Sequence, residues 1–279
     1  MPEVHTLLTD LALGESPRWH AGRLWLCDWV AHEILVVHPA GAREVVANIP
    51  SLPFSIDFLP SGDLLVIAQQ QLLRRELDGS LATYADLTGL SPYGWNELVV
   101  DGRGNVYANN VNFAFPGGAF APGILALVTP DGTVRQVADG VAFPNGMAVT
   151  PDNATLILAE SYGNRLTAFD IAPDGSLSGR RVWADLDGGY PDGICLDAEG
   201  AVWYADVPNK RCVRVREGGE VLQTVELDRG CFACMLGGEA NRTLYMVAAE
   251  WGGAASMAGG QRTGQVLSVE VETARAGWP

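Results

Sequence analysis

The chain has 279 residues, is 48% apolar and carries 33 glycines and 16 prolines, which suits a substantial core built from short strands and tight turns. Its formal net charge of -15 repels phosphate backbones and anionic lipid, so neither nucleic acid nor a membrane surface is an expected partner. No apolar run reaches the roughly 20 residues of a membrane span. The opening Met1-Pro2-Glu3-Val4-His5 also lacks the features of a secretion signal, so a cytoplasmic protein is expected.

In chain order, a β-type run, Val4–Leu8, is followed by Leu13-Gly14-Glu15-Ser16-Pro17-Arg18-Trp19 and then the first of six similar turn-plus-strand units. Their turns lie at His20–Arg23, Ser61–Asp63, Asp101–Asn105, Pro151–Ala154, Asp197–Ala201 and Gly238–Thr243. They recur about every 41 to 50 residues, the period of four-stranded propeller blades. A second, more polar hairpin follows each of the first five, with turns such as Pro39-Ala40-Gly41, Asp78-Gly79-Ser80, Asp131-Gly132-Thr133 and Asp174-Gly175-Ser176. No stretch has helical periodicity over three turns. The pattern predicts an all-β protein: residues 1–279 as a single six-bladed β-propeller of four-stranded antiparallel blades around a central metal site. The first run is expected to close the ring, one option being to pair with Gln265–Val271.

Two stretches exceed hairpin length. Residues 109–123 hold Phe113, Phe115 and Phe120, and residues 251–264 are rich in Gly and Ala. Loops of this length are commonly functional covers or mobile segments. The five cysteines are odd in number, and the CxxC at Cys231–Cys234 has no second pair to complete a zinc site, so buried thiols are expected.

The residue about ten positions before each strongly apolar strand is Glu15, Ser55, Asn96, Asn145 and Asp192, with the sixth falling near Phe232 to Cys234. Phe143-Pro144-Asn145-Gly146 and Tyr190-Pro191-Asp192-Gly193 share one frame. An isolated Asx in such a frame serves the backbone of a turn. Four oxygen-bearing side chains at matched positions point instead to a ring at one mouth of the channel. Two carboxylates and two carboxamides suit a hard divalent cation, Ca²⁺ first, with Mg²⁺ or Mn²⁺ as alternatives. Zinc ordinarily takes His or Cys, and no His falls at a matched position.

Gly14-Glu15-Ser16-Pro17, Trp95-Asn96-Glu97 before Asp101-Gly102-Arg103-Gly104, Pro144-Asn145-Gly146 and Pro191-Asp192-Gly193 together resemble the SMP-30/gluconolactonase/luciferin-regenerating family. The resemblance implies a six-bladed propeller with one central divalent cation (calcium, zinc, magnesium or manganese) and hydrolysis of sugar lactones. It assigns Glu15, Asn145 and Asp192 as metal ligands, Asn96 as a substrate contact that can also reach the metal, and Asp192 as the base. Relatives that open sugar lactones often carry an Arg two positions before the Asn; here it is Gly94. Asn109, Trp29 and Phe113 are the other candidates for touching substrate, which makes a pocket richer in amides and rings.

The expected activity is metal-dependent opening of a lactone or related cyclic ester by water. The same site acting on a phosphotriester, or in a lyase or dehydration reaction, is the alternative, followed by a non-enzymatic propeller with a structural cation. The expected partner is a small-molecule substrate, and the oligomeric state is not readable.

Overall fold

The computed structural model describes residues 3–38, 41–254 and 261–277. Pro39 and Ala40 of one expected turn, and residues 255–260 of the second long loop, lie outside the described residues. The rest forms six four-stranded antiparallel sheets. Five are plain meanders. The sixth has the order Gly230–Gly237, Thr243–Ala249, Gly264–Glu270 and, outermost, His5–Leu11. The last two pair from His5↔Ser268 to Leu11↔Gly264, so a strand from the start of the sequence closes the ring as expected.

The innermost strands of blades one to six are Gly14–His20, Phe54–Phe58, Glu97–Val100, Pro144–Val149, Pro191–Leu196 and Gly230–Gly237. The strongly apolar runs, such as Leu64–Ala68 and Thr155–Glu160, are the second strands. They are buried on both faces because each blade packs between two others. An apolar layer fills each of the six blade–blade interfaces, for example Ile34, Phe54, Ile56 and Val66 between blades one and two.

The recurrent aspartates of the first hairpins are turn residues. Asp101 Oδ1 accepts from the amides of Arg103 and Asn105, and Asp197 Oδ1 from those of Glu199 and Ala201. All five cysteines are free and buried, with Cys195 Sγ and Cys234 Sγ 3.9 Å apart in the layer between blades five and six. The 3₁₀ turn Ser161–Gly163 follows the second strand of blade four, and no helix among the described residues is long and apolar enough to cross a membrane.

A candidate metal centre at the mouth of the ring

Each innermost strand starts at the same end of the ring, called the mouth below. Loops from the second to the third strand, and from one blade to the next, also lie there. In blades one, four and five the pairing of the innermost strand is broken by a bulge at its first turn. Glu15 pairs with Cys27, and regular pairing resumes only at Arg18↔Trp25. The same break separates Pro144↔Glu160 from Met147↔Leu158 and Pro191↔Asp206 from Ile194↔Tyr204. A bulge re-aims the side chains it carries. These three bulges carry or adjoin Glu15, Asn145 and Asp192, while blades two and three, with Ser55 and Asn96, stay regular.

Glycine lets the bulged strands approach. A Cβ on Gly146 would lie 2.6 Å from the Asp192 carbonyl oxygen, and one on Gly193 would lie 2.5 Å from Ala233 Cβ. The glycine of the shared Asx-Gly frame is thus a packing device, beside the candidate ligand that precedes it. Blade one solves the same problem with Ser16 in the left-handed region (φ 47°), its Oγ donating to Glu97 Oε2 at 2.8 Å.

A second device sits at the end of the neighbouring strand. Asp28 accepts the amides of Ala12 and Leu13, Glu160 that of Ala142 and Asp206 that of Tyr190, so each staples the loop entering its own bulged strand. All three are fully buried. The sequence signal was available: a single acid terminating an apolar run in blades one, four and five.

The structure brings the candidate ligands into one field. Burial pushes the Glu15 carboxyl well above its ordinary value, and the charges of Asp192 and then Glu97 push it further, against partial relief from the Ser16 amide and Arg18. Asp192 is likewise raised by burial first and by Glu97 and Asp206 next, with Asn145 facing it as the offsetting partner. Its Oδ1 is out of contact with solvent and has no hydrogen-bond partner. The carboxamides are oriented through their nitrogens: Asn96 Nδ2 donates to Pro144 O at 3.2 Å, Asn109 Nδ2 to Asn145 O at 2.6 Å and Asn145 Nδ2 to Ser161 Oγ at 3.4 Å. Their oxygens are left as acceptors, and Asn109 Oδ1 is buried and unpartnered.

Among the described residues no group of three or more His, Cys, Asp or Glu stands ready to hold a metal. The candidate set has another composition, two carboxylates with carboxamides. Its unpartnered buried oxygens and mutually repelling acids fit a hard cation; a ring of satisfied Asx turns would leave neither.

Glu97 escaped the sequence reading as a functional group. It accepts from Ser16 Oγ, from Ser55 Oγ and from Arg18 Nη2 at 2.8 Å. Arg18 also donates to Leu98 O and lies 3.4 Å from Asp57, so one buried network joins blades one, two and three. Its signal was Arg18 itself, a charge inside a buried strand. Blade six contributes an aromatic ring at the sixth position, within the Phe232 to Cys234 range read from the sequence. Phe232, in a further bulge, packs with Leu13, Val207 and Ala249, edge-on to Trp251 at 5.3 Å.

At the rim, Trp29 is half-buried, its indole N–H held by Phe54 O, and it packs into two apolar clusters. Phe113 is buried and forms the base on which Phe115, Phe120 and Phe143 rest at centroid distances of 6.1, 5.8 and 5.9 Å.

Pentonolactonase XacC of Haloferax volcanii is 26% identical over 245 residues, covering 78% of this chain and 81% of that protein. Regucalcin of Xenopus laevis is 28% identical over 249 residues, 85% of this chain and 83% of the relative. The crystal structure of a calcium-binding protein, regucalcin of Agrobacterium tumefaciens, superposes with a TM-score of 0.84 at 22% identity, over 100% of this chain and 97% of that one. Residues 13–250 match the SMP-30/gluconolactonase/LRE-like region, and the chain belongs to that family.

Proposed function

We propose that this protein is an ester-bond hydrolase that opens lactones at the mouth of the ring. In this reading Glu15, Asn145 and Asp192 hold one divalent cation, Asn96 adds an oxygen to the set, and Asp192 is the general base. The observation that carries it is Asp192 Oδ1, buried and unpartnered among converging oxygen donors. Calcium is the best match to an all-oxygen set, and the Agrobacterium relative is described as calcium-binding. The lactonase name of the Haloferax relative supports the substrate class.

A bound divalent cation supplies a Lewis acid for the lactone carbonyl and for the charge that grows on its oxygen. The chain does the rest. Glu15, buried and committed to its strand, serves binding only. Asp192 has an oxygen free of other bonds and can take the proton from the attacking water. Asn96 and Asn109 hold their amide nitrogens on backbone carbonyls, so their oxygens can accept from water or a substrate hydroxyl without reorienting. Asn145, steadied by Ser161, links the ligand set to blade five, because Ser161 Oγ donates to Pro191 O at 2.7 Å.

The test is proton release from a panel of lactones before chelation, after it, and with single cations restored. Asp192→Asn is expected to lower kcat by about 10² to 10⁴. Activity indifferent to chelation and to that substitution sinks the reading.

A further inference from the structure

Five aromatic rings on the described surface are exposed: Tyr93, Phe115, Phe120, Tyr162 and Tyr190. All five lie on mouth-side loops, entering an innermost strand or leaving a second strand. The opposite face, built from the Asp- and Gly-rich turns, has none. Three of the five join buried Phe113 and half-buried Phe143 in one continuous cluster. Phe143 stacks on Tyr162 at 4.4 Å, Phe115 meets Phe143 at 5.0 Å, and Phe120 meets Tyr162 at 6.0 Å, all over Phe113. Phe115, Phe120 and Tyr162 remain 41%, 53% and 52% exposed, a contiguous apolar patch of the kind that marks a binding surface.

This patch is continuous with the candidate site. Phe143 stands two residues before Asn145, and Tyr162 follows Ser161, the hydroxyl that holds Asn145. The main chain locks them together, with Ser161 N donating to Phe143 O and Tyr162 N to Ala142 O, both at 3.1 Å. The arginines on the same face are committed to carboxylates, and the single lysine there, Lys210, lies with Asp228, Arg229 and Glu250 in a separate cavity beside blades five and six, away from the rings. Arg165 is held by Glu160, Arg211 by Asp206, Arg229 by Asp228 and Arg262 by Asp10. At Gly94 the rim has no side chain at all.

We propose that the preferred substrate is a lactone bearing an apolar aryl or alkyl substituent, which lies against the rings of Phe115, Phe120 and Tyr162. The proposal rests on the lactone reading above and narrows it. The reacting ester sits at the Glu15–Asn145–Asp192 set, and the substituent covers ring surface that is otherwise left to water.

The experiment compares kcat/KM for a phenyl-substituted γ-lactone, unsubstituted γ-butyrolactone and gluconolactone, and titrates the phenyl-substituted lactam as a non-hydrolysed binding probe. The phenyl lactone is expected to lead by about tenfold or more. The variant Phe115→Ala/Phe120→Ala/Tyr162→Ala should lower the phenyl-to-unsubstituted ratio about tenfold and weaken lactam binding in step. Phe120→Ala alone, at an exposed ring, guards against misfolding and should lower the ratio about threefold. Gluconolactone as the best substrate, with the phenyl-to-unsubstituted ratio and lactam binding unmoved by the variants, overturns the proposal. So does a variant that alters only sedimentation, which assigns the patch to self-association. If no lactone is opened while the lactam binds the wild type and not the variants, the hydrolase reading falls and the ring subsite stands.

Discussion

Glu15 and Asp192 are carboxyls in the same buried field, yet their surroundings differ, and the proposed roles follow that difference. Glu15 sits in a strand paired at Cys27, with Ser16 and Arg18 beside it. Asp192 keeps an unpartnered oxygen. Glu15→Gln should therefore weaken calcium binding by about 10- to 100-fold in calorimetry, with rate recovered at saturating cation. Full calcium affinity in that variant would mean the ligand set is wrongly drawn. Gly193→Ala is a packing change at the same site. Its Cβ would meet Ala233 Cβ at 2.5 Å, so urea unfolding should show a loss of about 1–3 kcal/mol. The candidate positions were legible because an Asx or Glu recurs at one phase of the repeat. Glu97 was not, because one residue beyond that phase its role depends on Ser16, Ser55 and Arg18 arriving from other blades.

At the scale of strands and hairpins, turns and apolar runs were readable because their chemistry is local: an Asp that binds its own turn, a Gly at positive φ, a run buried on both faces. The bulges were not. An extra residue in one strand leaves no mark in the apolar pattern, and in blade six it falls at Phe232, where the alignment of the repeat was loose. The network beneath the site makes a sharp prediction. Arg18→Met would leave Glu97 and Asp57 as buried like charges and should cost about 3–5 kcal/mol in chemical unfolding. Glu160 offers a pH-dependent one. Burial alone would raise its carboxyl, but Arg165, Thr167 and the Ala142 amide hold it below its ordinary 4.5. A lowered folded-state pKa stabilises above the unfolded-chain value and is lost as pH falls through the folded one. Glu160→Gln should thus lower the unfolding free energy at pH 7 by about 1–3 kcal/mol, since Arg165 and Arg180 can fall back on water. The gap between variant and wild type should close in acid, and thermal melts across pH check it.

The whole ring depends on one joint. His5–Leu11 supplies the outer strand of a blade whose other strands span Gly230–Glu270. Deleting residues 3–11 should bare the edge of Gly264–Glu270 and lower the thermal midpoint, with light scattering reporting association through the open edge. The repeat period made the number of blades legible, and closure was expected from the edges an open ring would expose. Which loops face the same end, and so which aromatics share a surface, became visible only once every strand had a direction.

That joint also sets when the site comes into being. All four candidate ligands belong to blades one, three, four and five, so a nascent chain carries the full set before blade six is made. Glu15 meets Asp192 only after the last wedge fixes the gap between blades one and five. On the proposed ligand set, a luminescent lanthanide offered during refolding is expected to stay dark through collapse and light up at closure, and emission during collapse would count against that set.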